Sequence, residues 1–185
     1  MNKLLNSAIK NKKAYTEWHS RSLNLTMGRF SDEEINQLIK EPKTLPINFT
    51  EVLRLRQKRA HSEQNLDIKG ESGRDFRLIL RQSKLNPLDF SIILAYCPQD
   101  TTQIFRLCRY NGKSHQHTNF IEKDTFFDFH IHTATERYQD LGFNEEGFAE
   151  TTSRYSDFVT AIKCLLIDCS IDLSRKVQRS FFELK

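Results

Sequence analysis

Four short segments between residues 76 and 133 have the side-chain pattern of β-strands. In the first, Phe76, Leu78 and Leu80 recur at every second position, so they share one face of a half-buried strand. The other three segments cover residues 90–97, 104–110 and 126–133. The Asn111–Gly112 pair after the third segment is typical of a tight turn. Because connections this short suit antiparallel neighbours, we predict an antiparallel sheet of at least four strands.

Helices are predicted before and after this sheet in the chain. Ser31 and Glu34 have the spacing of a capping box, and Pro42 ends the helix that follows them. Near the C-terminus, Ser156 is the expected cap of a helix with an apolar stripe at helical spacing. The stripe consists of Phe158, Ile162, Leu165 and Cys169. The expected fold class is therefore α+β, with N-terminal helices, the sheet and a packed C-terminal helix.

The polar segment 62–74 contains two glycines and is expected to be a connector. It would separate a mainly helical N-terminal region, residues 1–64, from an α+β domain, residues 65–185, that carries most of the histidines. Residues 50–61 fit either a helix or a strand, and the alternation of leucine and arginine over residues 53–56 favours a strand there. The acidic segment 140–152 is expected to be a loop. Short helices are expected at 1–14 and within the tail 175–185.

The net charge of +4 is concentrated in the first two thirds of the chain. The densest basic run, at residues 54–59, can follow nucleic-acid phosphates, although a solvated helix face has the same composition. No window is long and apolar enough for a membrane span, and the N-terminus lacks a secretory apolar core, so no membrane partner is expected. The four cysteines form no CxxC pair and are expected to be reduced thiols of a cytoplasmic protein.

Four of the six histidines form two His-x-His pairs within residues 115–132. His115 and His117 lie in the loop after the third strand, and His130 and His132 lie on the fourth. A period of two places Asp128 on the same strand face as His130 and His132, opposite the apolar residues of that strand. The imidazoles are therefore expected to face away from the aromatic core, beside a carboxylate that would fix their tautomer.

Three interpretations of the histidines stay open. They can be ordinary polar positions of a half-exposed sheet, or zinc ligands, or the base and acid of a metal-free phosphodiester cleavage. A replication nickase is a further alternative, with Tyr138 or Tyr155 as the nucleophile. For metal-free cleavage, the candidate catalytic residues are His117, His130, His132 and Asp128. The candidate substrate-binding residues are Arg109, Lys113, Asn119, Arg137 and Tyr138.

The runs RYNGKSHQHTNFIE and FFDFHIHTATERYQDLG resemble a family of uncharacterised bacterial proteins that is known only as a domain of unknown function. Its members carry a His-Thr-Asn element followed by a His-x-His strand. The matching positions here are 117–119 and 130–132, within a resemblance that spans about residues 76–168. An unassigned family implies no reaction, but the resemblance indicates that the clustering of histidines is not accidental.

The leading functional prediction is a metal-independent RNA phosphodiesterase, an endoribonuclease of bacterial toxin or phage-defence type. RNA is the favoured partner, and a protein inhibitor or antitoxin is a further candidate. No metal and no cofactor are expected, because the cluster lacks the cysteine that structural zinc sites usually include. The alternative is a non-catalytic protein whose histidines bind a metal or a partner.

Overall fold

The computed structural model describes residues 28–46, the backbone of residues 56–57, and residues 61–172. The helices are α1 (Asp32–Lys40), α2 (Glu136–Asp140) and α3 (Phe158–Asp168). The strands are β1 (Lys43–Thr44), β2 (Arg56–Gln57), β3 (His61–Gly70), β4 (Asp75–Ser83), β5 (Phe90–Cys97), β6 (Phe105–Asn111), β7 (His117–Thr118), β8 (Thr125–Phe126), β9 (His130–Thr133), β10 (Phe148–Thr151) and β11 (Ile171–Asp172). The helices predicted at 1–14 and in the tail, and most of segment 50–61, lie outside the described residues.

Within the described part of the chain, nine strands form one sheet in the order β10-β9-β6-β5-β4-β3-β1-β11, and β2 also pairs with β3. All pairings are antiparallel except that of β1 with β11 at one edge. A separate hairpin consists of β7 and β8. The predicted α+β class with an antiparallel sheet is thus confirmed, and the single parallel pair closes its far edge.

Helices α1 and α3 cover one face of the sheet. Leu78, Leu94 and Cys108 are cross-strand neighbours on β4, β5 and β6, and each is almost completely buried beneath the helices. The helical stripe predicted near the C-terminus is confirmed, but its cap is Asp157, whose carboxylate accepts from the backbone N–H of Thr160 at 2.8 Å. The helix that Ser31 caps ends at Lys40, before the predicted proline stop.

The connector predicted over residues 62–74 is wrong, because His61–Gly70 is the ten-residue strand β3. Its sequence has little β-forming character, and Ile68 and Gly70 are its buried positions. Nine consecutive residues nevertheless pair with β4, so the neighbouring backbone supplies the hydrogen bonds that define the strand. The boundary expected between residues 64 and 65 falls inside this continuous strand.

Two further expectations change near the histidines. The fourth predicted strand, 126–133, is shorter, because Thr125–Phe126 pairs with β7 and β9 begins at His130. The expected loop 140–152 contains β10, which extends the sheet beyond β9. None of the helices in the described ranges has the length and apolar character needed to cross a membrane.

Candidate functional site

The sheet face opposite the helices carries the histidines of β9. His130 lies opposite Asn111 of β6, and His132 lies opposite Arg109, so the four side chains share this face. The predicted orientation away from the apolar core is confirmed. However, His130 is 0% and His132 6% exposed, so the expectation of a half-exposed sheet face at these positions is wrong.

The β7–β8 hairpin, which lies between β6 and β9 in the chain, covers the two buried histidines. The ring of His117 lies 5.3 Å from that of His130 and 4.6 Å from that of His132, measured between centroids. Phe126 packs against His130 at 5.5 Å. His115 is exposed at the edge of this group, 5.6 Å from His130. The hairpin therefore brings one member of the loop pair onto the strand pair.

Backbone carbonyl groups fix the two histidines of β9. Nδ1–H of His130 donates to the carbonyl oxygen of Asp128 at 2.6 Å, and Nδ1–H of His132 donates to that of Glu146 at 2.8 Å. A carbonyl oxygen only accepts, so in both rings the proton is on Nδ1 and the lone pair is on Nε2.

Asn119 fixes the third imidazole. Its amide is oriented by Ala149, since Nδ2 donates to the Ala149 carbonyl at 2.8 Å and Oδ1 accepts from the Ala149 N–H at 2.9 Å. Oδ1 also lies 2.9 Å from Nε2 of His117, which must then be the protonated nitrogen. The lone pair of His117 is consequently on Nδ1.

The three rings thus converge. One ring nitrogen from each of His117, His130 and His132 lies within 4.8 Å of the other two. We call these three residues the histidine cluster. Each of them uses its second nitrogen to donate to a fixed oxygen, the arrangement that holds a metal-ligating imidazole in place.

Asn111 borders the cluster with an unsatisfied atom. Its Nδ2 lies 3.2 Å from Nε2 of His130 and 3.2 Å from Nε2 of His132, and can donate one hydrogen to each. The residue is buried, and its Oδ1 has no hydrogen-bond partner among the residues that the structure describes. A buried carbonyl oxygen without a partner is costly and calls for an explanation.

Burial also sets the charge of the cluster. It lowers the pKa of His130 to about 4 and, helped by the neighbouring charges of His130 and Arg109, that of His132 to about 2. Both rings are therefore neutral at neutral pH, as metal ligation requires. Burial lowers the pKa of Arg109 to about 10, so this side chain stays charged, and it forms an ion pair with Glu146.

Several predicted site residues lie elsewhere. The side chain of Asp128 is exposed and only its carbonyl oxygen reaches the cluster, so the predicted carboxylate partner is wrong. The reason is that β9 begins at His130, and the alternation of strand faces does not extend back to Asp128. Lys113 is exposed and its Nζ lies 5.1 Å from the ring centre of Phe129.

The two predicted residues of α2 serve packing in this structure. Tyr138 is fully buried and its hydroxyl donates to Glu122 at 2.7 Å, while Arg137 pairs with the same carboxylate. In the described part of the chain neither contacts the histidine cluster.

The hydroxyl of Tyr155, the other candidate nickase nucleophile, is also buried and donates to the carbonyl groups of Asn111 and His130. The hydroxyl groups of both candidate nucleophiles therefore form hydrogen bonds within the fold.

Sequence reasoning missed Asn111 and Glu146. The Asn111–Gly112 pair predicts a turn, whereas Asn111 occupies the last position of strand β6. Glu146 lies in the segment expected to be a loop, and its carbonyl group and carboxylate contact His132 and Arg109 respectively. Short polar segments of this kind carry no periodic signal that could reveal such contacts.

The fold and the site define an α+β protein with three fixed imidazoles, two on the sheet face opposite the helices and one on the hairpin that covers them. The chain belongs to a family of unknown function, DUF6978, whose sequence model matches residues 30–171. The match includes the whole histidine cluster, and it confirms the resemblance to an unassigned domain family. Comparisons with curated proteins and with solved structures found no match.

Proposed function

We propose that the histidine cluster binds a divalent transition-metal ion, for which zinc is the best candidate. The observation that carries this proposal is the convergence of three imidazoles, with one ring nitrogen of each within 4.8 Å of the other two and with each ring donating to a fixed oxygen. Neutral imidazoles in this arrangement are typical ligands of zinc, and three histidines are sufficient protein ligands for a site with an open fourth position.

The distances suit zinc after a small contraction. Three nitrogens bound tetrahedrally at 2.0–2.1 Å lie about 3.4 Å apart, compared with at most 4.8 Å between the ligand atoms here. Each pair of nitrogens would therefore approach by about 1.4 Å or less on binding. His117 lies on a two-residue strand of the covering hairpin, so rotation of its ring is the simplest source of this movement.

Asn111 supplies a candidate fourth ligand. The amide oxygen and nitrogen of asparagine are assigned from hydrogen bonds, and rotation of this amide by half a turn would direct Oδ1 toward the ring nitrogens that Nδ2 now contacts. The oxygen that is unsatisfied in the structure would then bind the ion. The presence of such an atom beside three imidazoles supports a metal centre more than it supports a purely structural cluster.

The metal-independent phosphodiesterase stays a prediction. A metal-free mechanism needs two imidazoles that exchange protons with a substrate held between them, whereas His130 and His132 are buried and donate to backbone carbonyl groups. Phosphodiester hydrolysis is the second candidate function, because a metal ion held by the three histidines would supply Lewis-acid chemistry beside Arg109, which lies opposite His132 and is paired with Glu146. If the protein hydrolyses phosphodiesters, we propose RNA as its substrate and a protein inhibitor as a further partner.

We also propose the bacterial cytoplasm as the compartment. The four cysteines are free, and three of them are buried. A reducing compartment keeps such thiols in this state, which supports the proposal.

Zinc titration of protein purified without a histidine tag and stripped with a chelator tests the metal centre. We expect about one zinc ion per chain, and a loss of affinity of about 100-fold or more in His117→Ala and His132→Ala. His115→Ala is the matched control, since it removes an exposed imidazole from the same loop two residues away and should leave zinc affinity unchanged. Failure of the wild-type protein to bind zinc, or equal losses in His115→Ala and His117→Ala, would refute the proposal.

A further inference from the structure

A groove of about 260 Å³ opens on the histidine-bearing face of the sheet. Its lining includes Arg81, Ser91, Arg109, Asn111 and His115. Asn111 contacts two of the cluster histidines, and the ring of His115 neighbours that of His130. Two residues of the groove lining therefore adjoin the histidine cluster, although none of the three cluster histidines lines the groove itself.

Strand register places the groove and the centre in one row. Arg81 of β4 lies opposite Ser91 of β5, which lies opposite Asn111 of β6, which lies opposite His130 of β9. With neighbouring strands 4.7–4.9 Å apart, the row is about 14 Å long between the backbones of Arg81 and His130. The guanidinium group of Arg81 thus lies at one end of the row, and the proposed metal ion lies at the other.

Arg81 differs from its neighbours in its electrostatic surroundings. The other arginines on the described part of this face, Arg77, Arg106 and Arg109, each contact a carboxylate. Arg81 is exposed and has no carboxylate partner among the residues that the structure describes. Its guanidinium group is therefore available to an anion from solution.

The acidic residues near the groove have other contacts. Glu63 is opposite Arg81 in register, but its carboxylate lies 3.3 Å from the ring of His61. Asp89 lines the groove, and its carboxylate accepts from the hydroxyl of Ser114 at 3.1 Å. Neither carboxylate neutralises Arg81 by direct contact in the described structure.

We propose that this groove binds a phosphate group, with Arg81 as the recognition residue and the metal ion of the histidine cluster as the second contact. The inference rests on the proposed metal centre for that second contact. The forked guanidinium group matches two phosphate oxygens, and a metal ion held by the three histidines, without Asn111 as a ligand, would have its fourth position open for a further oxygen. A free phosphate ester and the backbone of RNA present the same group.

Calorimetric titration with inorganic phosphate and with a short single-stranded RNA tests the groove, using zinc-loaded and chelator-stripped protein. In Arg81→Gln we expect affinity for either probe to fall at least fivefold, with zinc affinity unchanged. Arg77→Gln is the matched control, because it removes the same charge from the same strand face outside the groove, and it should change affinity less than twofold. Tighter binding of the RNA than of phosphate would identify the nucleic-acid backbone as the source, and equal binding would identify a small ester.

The two proposals fail separately. Zinc binding without binding of either probe, or equal effects of Arg81→Gln and Arg77→Gln, overturns the phosphate groove and leaves the metal centre intact. Absence of zinc binding overturns the metal centre, while the stripped protein still reports whether Arg81→Gln weakens binding of the probes.

Discussion

The two faces of the sheet are buried to a similar degree at their centres but are stabilised by different interactions. Beneath the helices, Leu78 and Leu94 are 0% exposed and need only apolar neighbours. On the opposite face, His130 is equally buried, yet its ring needs a carbonyl acceptor and a donor from Asn111. Burial alone therefore does not distinguish the apolar core from the candidate site in this protein. The two regions differ in that the buried side chains of the site need hydrogen-bond partners.

The largest expected effect is on the helix-covered face. Leu78→Ala should lower the free energy of unfolding by about 3 kcal/mol, because it removes buried methyl groups and leaves a cavity in the apolar core. Chemical denaturation of the metal-free protein measures this loss. If the two faces are independent, zinc affinity of the folded variant stays at the wild-type value, and a marked decrease would show that they are coupled.

The second prediction concerns acid sensitivity of the histidine-bearing face in the metal-free protein. In the unfolded chain the pKa of histidine is about 6.5, whereas burial lowers the native pKa of His130 to about 4 and that of His132 to about 2. Between these values the unfolded chain binds more protons, so stability is complete above about pH 6.5 and falls as the pH decreases. The expected loss is about 2 kcal/mol between pH 6 and pH 5, from about 1.4 kcal/mol per pH unit for each histidine.

Denaturation in a chelating buffer at several pH values measures this dependence. His132→Gln should remove the contribution of one histidine, roughly half of the slope over this interval. A slope that is unchanged in the variant would mean that the buried rings do not titrate as described.

The third prediction concerns the connection between the hairpin and the strand pair. Asn119→Ala should weaken zinc binding about tenfold, because His117 loses the oxygen that orients its ring. Asn65→Ala, at an exposed position on β3, is the control and should bind zinc as the wild type does. Equal affinities in the two variants would show that the hairpin needs no such orientation.

The smallest effect is expected at the exposed part of the histidine-bearing face. Arg77→Gln breaks an ion pair with Asp67 at 2.6 Å, between side chains that are 36% and 72% exposed, and should lower stability by less than about 1 kcal/mol. Thermal unfolding at two salt concentrations checks this, since salt should reduce the difference further. A larger loss of stability in Arg77→Gln would indicate that the ion pair with Asp67 is less solvated than the exposure of its side chains suggests.

The sequence predicts the strands that alternate clearly and misses those that do not. Phe76, Leu78 and Leu80 identify β4 without ambiguity, because their face is buried by the helices. Strand β3 is not predictable from its own residues, since its pairing depends on β4. The histidine spacing locates the site, but it cannot show that the two-residue strands β7 and β8 fold over it, because strands that short have no period.

The amide of Asn119 has a consequence beyond the imidazole that it orients. It pairs with both backbone groups of Ala149 on the outer side of β10, in the way that a residue of a further strand would. An uncovered sheet edge is a template for strands from other molecules, and this side chain occupies the hydrogen-bonding groups that such a strand would use. The residue that orients a candidate ligand thus also occupies a pair of backbone groups at the outer edge of the sheet.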